Sequence, residues 1–183
     1  MITEKFSIKN ALYPGSYIHI APSFYIQEVV YVDSFKRTVK FFEDKSILGF
    51  IEKHKTYSKN PEVRFYYQDY YEELDGEFES FDLLISQYAG FVSECCKRYL
   101  KPKGILVAND SHGDASMALL DEVFQFFGVI YYANKKYYLT DKNLESYFIP
   151  KDKTKKISKE HLKKTMKGIG YTKYASAYLF KKA

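Results

Sequence analysis

Residues 11–33 (ALYPGSYIHIAPSFYIQEVVYVD) constrain the fold more than any other part of the chain. A short apolar run ends at Pro14-Gly15-Ser16, a mixed segment follows, and a second apolar run at residues 29–32 ends on Asp33. This order predicts a strand, a tight turn, a short helix, a second strand and a carboxylate at its carboxyl end. Doubly wound α/β folds use this unit to hold a nucleotide, because the turn lets a ligand approach the backbone and the acid accepts hydrogen bonds from ribose hydroxyls.

The remaining hydrophobic pattern alternates between strand and helix signals and then becomes rich in strands. Apolar runs predict strands at residues 63–67, 81–86, 105–108, 123–132, 136–140 and 175–180, and helical spacing predicts helices at 35–42, 88–100 and 115–120. Strand–helix alternation followed by a β-rich tail is typical of an α/β fold with a parallel sheet and antiparallel strands at its C-terminal edge.

The length and the charge distribution indicate one domain with a basic segment near its end. A chain of 183 residues fits a single domain, so we predict one Rossmann-like domain over residues 1–183. The net charge is +5, and residues 151–167 alone hold eight lysines against two acids, as a lysine-rich insertion before the last strand. Such a block is either a solvated segment or a contact for a phosphate-bearing substrate or nucleic acid.

The cysteines and the N-terminal residues bear on the cellular setting. The only cysteines, Cys95 and Cys96, are adjacent, and neighbouring cysteines rarely meet disulfide geometry. A reduced, cytoplasmic setting is therefore expected. The first ten residues contain no apolar signal core, and no window approaches 18 uncharged apolar residues. We expect neither export nor a membrane span.

Three stretches occur in the order in which one enzyme family carries its motifs. Residues 11–33 resemble that family's first two motifs, and residues 81–86 (FDLLIS) resemble its fourth-strand motif. Residues 99–106 (YLKPKGIL) resemble the run LKPGG-x-L before its fifth strand, with Lys103 in place of a glycine. The chain thus resembles a class I S-adenosylmethionine-dependent methyltransferase over about residues 8–130. The resemblance implies a Rossmann-like doubly wound sheet of about seven strands with a reversed final strand.

The same resemblance assigns residues to a site for the cofactor S-adenosylmethionine. It implies that Gly15 approaches the amino-acid part of the cofactor and that Asp33 binds the ribose hydroxyls. It also implies that Gln68 and Asp69 lie near the adenine and that Ser86 and Gln87 form the floor near the reactive sulfonium. The residues beside Gly15 and Asp33 that complete the set are Tyr13, Pro14, Ser16 and Ser34.

The chain also departs from the family pattern, which leaves a second function open. Only one glycine stands in the first motif, with Tyr17 after it, and residues 86–89 (SQYA) replace the Asn/Asp-Pro-Pro-Tyr signature of amino-group methylating enzymes. The alternative to a methyltransferase of unknown substrate is a non-catalytic nucleotide- or nucleic-acid-binding module, with residues 151–167 as a backbone contact. A nicotinamide-dependent oxidoreductase is disfavoured, because the pyrophosphate needs G-x-G-x-x-G at a helix start.

A polar run after the fifth predicted strand, residues 109–114 (NDSHGD), holds the candidate catalytic residues. His112 next to Asp110 is suited to act as a base that deprotonates a substrate hydroxyl or amine. The alternative is a turn whose side chains cap the next helix. No metal site is predicted, because these ligands lie too close together in sequence for a preformed cage. His19, after the glycine turn, either faces the cofactor or packs against a helix.

Overall fold

The computed structural model describes residues 2–75, 77–154 and 157–183. Within them the strands are β1 (Asn10–Pro14), β2 (Glu28–Val32), β3 (Glu62–Tyr66), β4 (Phe81–Ser86), β5 (Leu100–Ala108), β6 (Phe124–Ala133), β7 (Lys136–Thr140) and β8 (Ala177–Lys182). The α-helices are α1 (Ile2–Lys5), α2 (Lys36–Glu43), α3 (Ser46–His54), α4 (Val92–Cys95), α5 (Asp114–Leu119) and α6 (Lys159–Thr165).

All eight strands form one sheet in the order β3-β2-β1-β4-β5-β8-β6-β7. The strands β1 to β5 pair in parallel, while β8 is antiparallel to both β5 and β6. The predicted mostly parallel sheet with an antiparallel edge is confirmed, but the count of about seven strands is wrong. The strand predicted at residues 136–140 is present as β7, which a tight turn folds back onto β6, with positive φ angles at Asn134 (49°) and Lys135 (62°), and it brings the strands of the described residues to eight.

Side chains alternate between the two faces of the sheet and supply two separate cores. Leu12, Val30 and Leu84 belong to one core, and their neighbours Ala11 and Val29 belong to the other. The connections between β1 and β3 pack on the face that carries Ala11 and Val29, whereas the connections between β3 and β6 pack on the face that carries Leu12 and Val30. This distribution gives the doubly wound arrangement.

The predicted helix over residues 88–100 is wrong in length. The segment forms only α4 and a single 3₁₀ turn, Lys97–Tyr99, and the next residues, 100–108, already belong to β5. Tyr88 has a φ of 57°, which an α-helix does not allow, and the buried Tyr99 hydroxyl accepts a hydrogen bond from Leu74 N (2.8 Å). These contacts take the chain back to the sheet after one helical turn.

The connection from β1 to β2 contains a single 3₁₀ turn, Ala21–Phe24, in place of the long helix that usually covers a doubly wound sheet. The centre of that face is covered instead by side chains of the N-terminal segment, Ile2, Phe6 and Ile8. Such thin coverage leaves room for a cleft over the central strands. No helix in the described ranges is both long and apolar enough to cross a bilayer.

Candidate functional site

The polar residues that follow the parallel strands meet at one edge of the sheet. Gly15, Asp33, Gln68, Ser86 and Asp110 lie at or just beyond the carboxyl ends of β1 to β5, respectively. The strand order reverses between β1 and β4, because β2 and β3 lie on one side of β1 and the later strands on the other. Ligands of open α/β sheets bind in the crevice at such a switch point.

Asp33 joins the loop after β1 to the end of β2. Its Oδ2 accepts a hydrogen bond from Tyr17 N (2.7 Å), and its Oδ1 accepts one from Phe35 N (2.8 Å). The residue is 9% exposed. Each carboxylate oxygen has two acceptor positions, so each keeps one for a further donor. The carboxylate therefore holds the loop and keeps acceptor positions for further donors, whereas its contact with ribose hydroxyls stays a prediction.

Gly15 is required by the packing of the chain itself. Its φ is +64°, and a Cβ at this position would lie 2.7 Å from Ala89 Cβ and 3.5 Å from Tyr70 Cε1. Tyr70 is fixed there because its hydroxyl accepts a hydrogen bond from Gly90 N (3.0 Å). The loops after β3 and β4 thus converge over the end of β1. The Ala89 side chain thus occupies the space into which a side chain at position 15 would extend.

The residues beside Gly15 and Asp33 differ in exposure. Tyr13, Pro14 and Ser16 are buried, and the Tyr13 hydroxyl lies 3.1 Å from Nδ1 of His19. Burial raises the pKa of Tyr13 to about 12, with a smaller contribution from the nearby Tyr88. Ser34 is exposed. Of these predicted cofactor residues, Ser34 is the one whose side chain is open to solvent.

The end of β3 is ordered by local hydrogen bonds. Gln68 Nε2 donates to the carbonyl oxygen of Glu73 (3.3 Å), and Asp69 Oδ1 accepts from Tyr71 N (3.0 Å). Asp69 is exposed and Gln68 is half-buried. Both side chains therefore lie at the rim of the edge, and Asp69 has acceptor positions left for a ligand.

Asn109 connects the ends of β4 and β5. Its Nδ2 donates to Gln87 Oε1 (3.3 Å), and its Oδ1 accepts from Tyr88 N (3.3 Å) and from Ser111 Oγ (2.8 Å). Ser86 is 1% exposed, so its side chain faces the interior. The predicted floor residues Ser86 and Gln87 are thus held in place by the loop that carries the predicted catalytic residues.

Two carboxyl groups of residues 109–114 are withdrawn from solvent: Asp114 is buried and Asp110 is half-buried. Burial raises the pKa of both Asp110 and Asp114 from 3.8 to about 6, against hydrogen bonds that favour the charged forms. Asp114 is 1% exposed and accepts from Ser93 N (3.1 Å) and Ser93 Oγ. Asp110 Oδ1 accepts from Ser116 N (2.8 Å). Each carboxyl group therefore ties the start of α5 to neighbouring backbone.

The structure does not bring His112 and Asp110 together as a hydrogen-bonded pair. His112 Nδ1 lies 3.1 Å from Ser111 Oγ, in a half-buried position. Asp110 Oδ2 is a buried atom without a hydrogen-bond partner of ordinary geometry, although the Ile169 N–H is near enough to lower the pKa of the carboxyl group. The base role of the pair stays a prediction.

A cavity of about 580 Å³ lies beside these groups; we call it the Asp110 cavity. It is lined by Tyr88, Asn109, Asp110, Ser111, residues 167–170, residues 174–176 and Tyr178. Lys167 is the cation of this lining and Asp110 is its acid. The mixture of charge and aromatic rings is suited to a polar ligand.

Among the described residues of the lysine-rich segment, Lys167 lines this cavity. Lys151 Nζ lies 4.9 Å from the centre of the Tyr174 ring, and Lys163 pairs with Glu94 (2.7 Å). Lys155 and Lys156 fall within the predicted phosphate contact but lie outside the described residues. The contact of residues 151–167 with phosphate or nucleic acid stays a prediction.

A second, larger space was not anticipated from the sequence. It measures about 780 Å³ and lies over the thinly covered face of β4, β5 and β8; we call it the apolar cleft. Its lining residues are Ile2, Thr3, His19, Pro22, Tyr25, Ile26, Leu83, Ile85, Gln87, Tyr88, Val107, Ile130, Tyr137, Ser176 and Ala177. Tyr88, which is 76% exposed, and Ser176 line both this cleft and the Asp110 cavity. Neither space is lined by Gly15, Asp33, Gln68 or Asp69.

Comparison with known proteins identifies the fold. No family model matches the chain, and no curated protein matches it either. Similar solved structures include the tRNA (m1A58) methyltransferase TrmI from Aquifex aeolicus, at 12% identity and a TM-score of 0.51 over 100% of this chain and 66% of that one. They also include the PH0226 protein from Pyrococcus horikoshii OT3 (12% identity, TM-score 0.49, 100% and 86% covered) and the YcgJ protein from Bacillus subtilis (22%, 0.43, 64% and 53%).

The chain spans about half the length of YcgJ and about two thirds of TrmI. The similarity to TrmI extends over the whole chain, whereas the identity is low. It follows that this protein has a Rossmann-like methyltransferase fold, and the similarity establishes the fold alone.

Proposed function

We propose that this chain is an S-adenosylmethionine-dependent methyltransferase whose cofactor binds at the carboxyl edge of the sheet. The observation that carries the proposal is the position of Asp33 at the end of β2, 2.7 Å from the backbone of the loop that follows β1. A carboxylate at this point, next to the switch between β1 and β4, is the group that a ribose requires. The whole-chain similarity to a tRNA methyltransferase supports the same reading.

The residues present fit the adenosine half of the cofactor. Asp33 has the acceptor positions for the ribose hydroxyls, and Asp69 is an exposed acceptor at the end of the next strand. The exposed rings of Phe35 (47%) and Tyr67 (54%) follow β2 and β3, where a purine ring has a surface to stack on. At Gly15, the residue predicted to approach the amino-acid half, the Ala89 side chain packs closely against the glycine. The proposal therefore depends on the adenosine half.

When bound, S-adenosylmethionine supplies an activated methyl group on a sulfonium. The task of the chain is then to align the acceptor and to exclude water, since such a transfer depends mainly on positioning and on the local electrostatics. Asn109 contributes by fixing Gln87 and Tyr88 at the end of β4. Asp110, with its pKa raised to about 6 by burial, is able to hold a proton near neutral pH.

Replacing Asp33 with asparagine is expected to weaken binding of S-adenosylhomocysteine, the demethylated product, by about 10- to 100-fold. The substitution removes the charge but leaves one oxygen for the Tyr17 N–H, and a hydrogen bond to a charged group contributes about 1.5–3 kcal/mol. Isothermal titration calorimetry with wild type and variant measures the difference.

Asp44→Asn is the matched control, because Asp44 also accepts a backbone hydrogen bond, from Ser46 N (2.8 Å), but lies at the exposed start of α3. Its affinity for the product should equal that of wild type. If wild type releases no heat with the product or with S-adenosylmethionine at millimolar concentration, the methyltransferase proposal fails. The non-catalytic alternative would then be tested by nucleic-acid binding and its salt dependence.

A further inference from the structure

The floor of the apolar cleft is made by the central strands of the sheet. Leu83 and Ile85 come from β4, Val107 from β5 and Ala177 from β8, and each is at most 8% exposed. The volume of about 780 Å³ lies within the range of about 300–1,000 Å³ that small-molecule sites occupy. The cleft thus has a buried apolar floor and the size of a site for a compact organic ligand.

The described lining of the cleft carries no formal charge at pH 7. Among the described lining residues there is no Lys, Arg, Asp or Glu, although these types make up 28% of the chain. An ion placed there would lose its hydration without gaining a partner, at a large cost in free energy. The ligand that suits the cleft is therefore uncharged.

Aromatic rings form the rim. Tyr25, Tyr88 and Tyr137 line the cleft and are 58%, 76% and 60% exposed, so that each presents ring surface to solvent. Exposed tyrosines at the border of an apolar space offer faces and edges on which a flat ring packs favourably. This arrangement favours a planar molecule over a flexible chain.

His19 supplies a polar anchor in the lining. Its Nδ1 lies 3.1 Å from the Tyr13 hydroxyl, so Nε2 is the ring nitrogen left for a ligand. Desolvation lowers the pKa of His19, which keeps the ring neutral at pH 7. A neutral imidazole either donates to or accepts from a hydroxyl, according to its tautomer. A hydroxyl group of a ligand can pair with either tautomer, because it both donates and accepts hydrogen bonds.

We propose that the apolar cleft binds a planar, uncharged molecule that carries a hydroxyl group, and that His19 is its hydrogen-bond partner. Gln87 and Tyr88, at the end of β4 and next to the switch point, line the mouth of the cleft. The identification of this ligand as the methyl acceptor rests on the proposed function; the binding itself does not.

The test uses 2-naphthol and naphthalene, which share a flat apolar frame and differ in the hydroxyl, with the full chain and the ligands' own fluorescence as readout. Ala177→Leu adds three carbons to the floor of the cleft and is expected to weaken 2-naphthol binding about tenfold or more, because the larger side chain occupies space that the flat ring would otherwise take. Ala175→Leu makes the same change in the Asp110 cavity and should leave binding unchanged. Circular dichroism checks that both variants are folded, and Ile130→Phe replaces Ala177→Leu if that variant is not.

The role of His19 is tested by His19→Gln, which is expected to weaken 2-naphthol binding about fivefold and to leave naphthalene binding unchanged, since one neutral hydrogen bond contributes about 1 kcal/mol. His54→Gln, at the exposed end of α3, is the control. Failure of 2-naphthol to bind, or equal binding by wild type and a folded cleft-filling variant, would overturn the proposal. If His19→Gln weakened the binding of 2-naphthol and naphthalene equally, His19 would not be the partner of the hydroxyl group. If 2-naphthol bound but S-adenosylhomocysteine released no heat, the proposal of a ligand site in the cleft would stand and the methyltransferase proposal would fail.

Discussion

Replacing Asp114 with asparagine is expected to stabilise the folded chain at pH 7 and to make its stability less dependent on pH. Burial raises the pKa of Asp114 from 3.8 to about 6, so between these values the folded state holds a proton that the unfolded state has released. The stability that this group contributes is therefore present below about pH 4 and is lost as the pH rises through 6. A shift of this size corresponds to about 3 kcal/mol at neutral pH.

Urea denaturation of both proteins at pH 4, 5.5 and 7 checks the prediction. The asparagine side chain keeps an oxygen for Ser93 N, so the difference between the proteins should be small at pH 4 and largest at pH 7. Asp121→Asn serves as a control of opposite sign: despite partial burial, the hydrogen bond from Lys97 lowers the pKa of Asp121, and its loss should destabilise the chain at pH 7. Parallel pH profiles of wild type and Asp114→Asn would contradict the account.

Gly15→Ala is expected to destabilise the chain by about 2–5 kcal/mol, because it combines left-handed strain of about 1–2 kcal/mol with overpacking of about 1–3 kcal/mol. The backbone has a φ of +64°, and the new Cβ would lie 2.7 Å from Ala89 Cβ. Gly49→Ala is the matched control, since Gly49 lies in α3 with no atom within 4 Å of a Cβ. It should be stabilising by about 0.5–1 kcal/mol.

A second substitution separates the two causes. Ala89→Gly removes the methyl group that the new Cβ would meet, so the double variant Gly15→Ala/Ala89→Gly should recover the overpacking part and keep only the left-handed strain. Denaturant midpoints of the four proteins give the coupling energy between the two positions. A coupling energy near zero would mean that Ala89 does not press on Gly15.

The unit at residues 11–33 was predictable because both of its strands are short apolar runs bounded by turn residues. Both strands were predicted, and so was the position of Asp33 at the end of the second one. The hydrogen bond from Tyr17 N to that carboxylate was not predicted, since a backbone contact between loops leaves no pattern in the side chains. The same holds for Ala89, which reaches Gly15 from the end of β4.

The helix predicted over residues 88–100 was wrong in length because the spacing of its apolar residues is compatible both with one long helix and with two short turns. Phe91, Cys95 and Tyr99 recur every four residues, as on one face of a helix, and both Phe91 and Tyr99 are indeed buried. They reach the interior from a single helical turn and a 3₁₀ turn instead. The apolar cleft could not be predicted for another reason: its lining comes from the N-terminal segment, the β1–β2 connection and five strands, and only the assembled sheet brings them together.

Tyr88 belongs to the wall of both the apolar cleft and the Asp110 cavity. A ligand that turned this ring on entering one space would change the shape of the other space as well. Such coupling would be reciprocal: the factor by which the first ligand changed the affinity of the second would equal the factor by which the second changed the affinity of the first. Tyr88, a solvent-exposed phenol at the end of β4, is thus a side chain through which one space would communicate with the other.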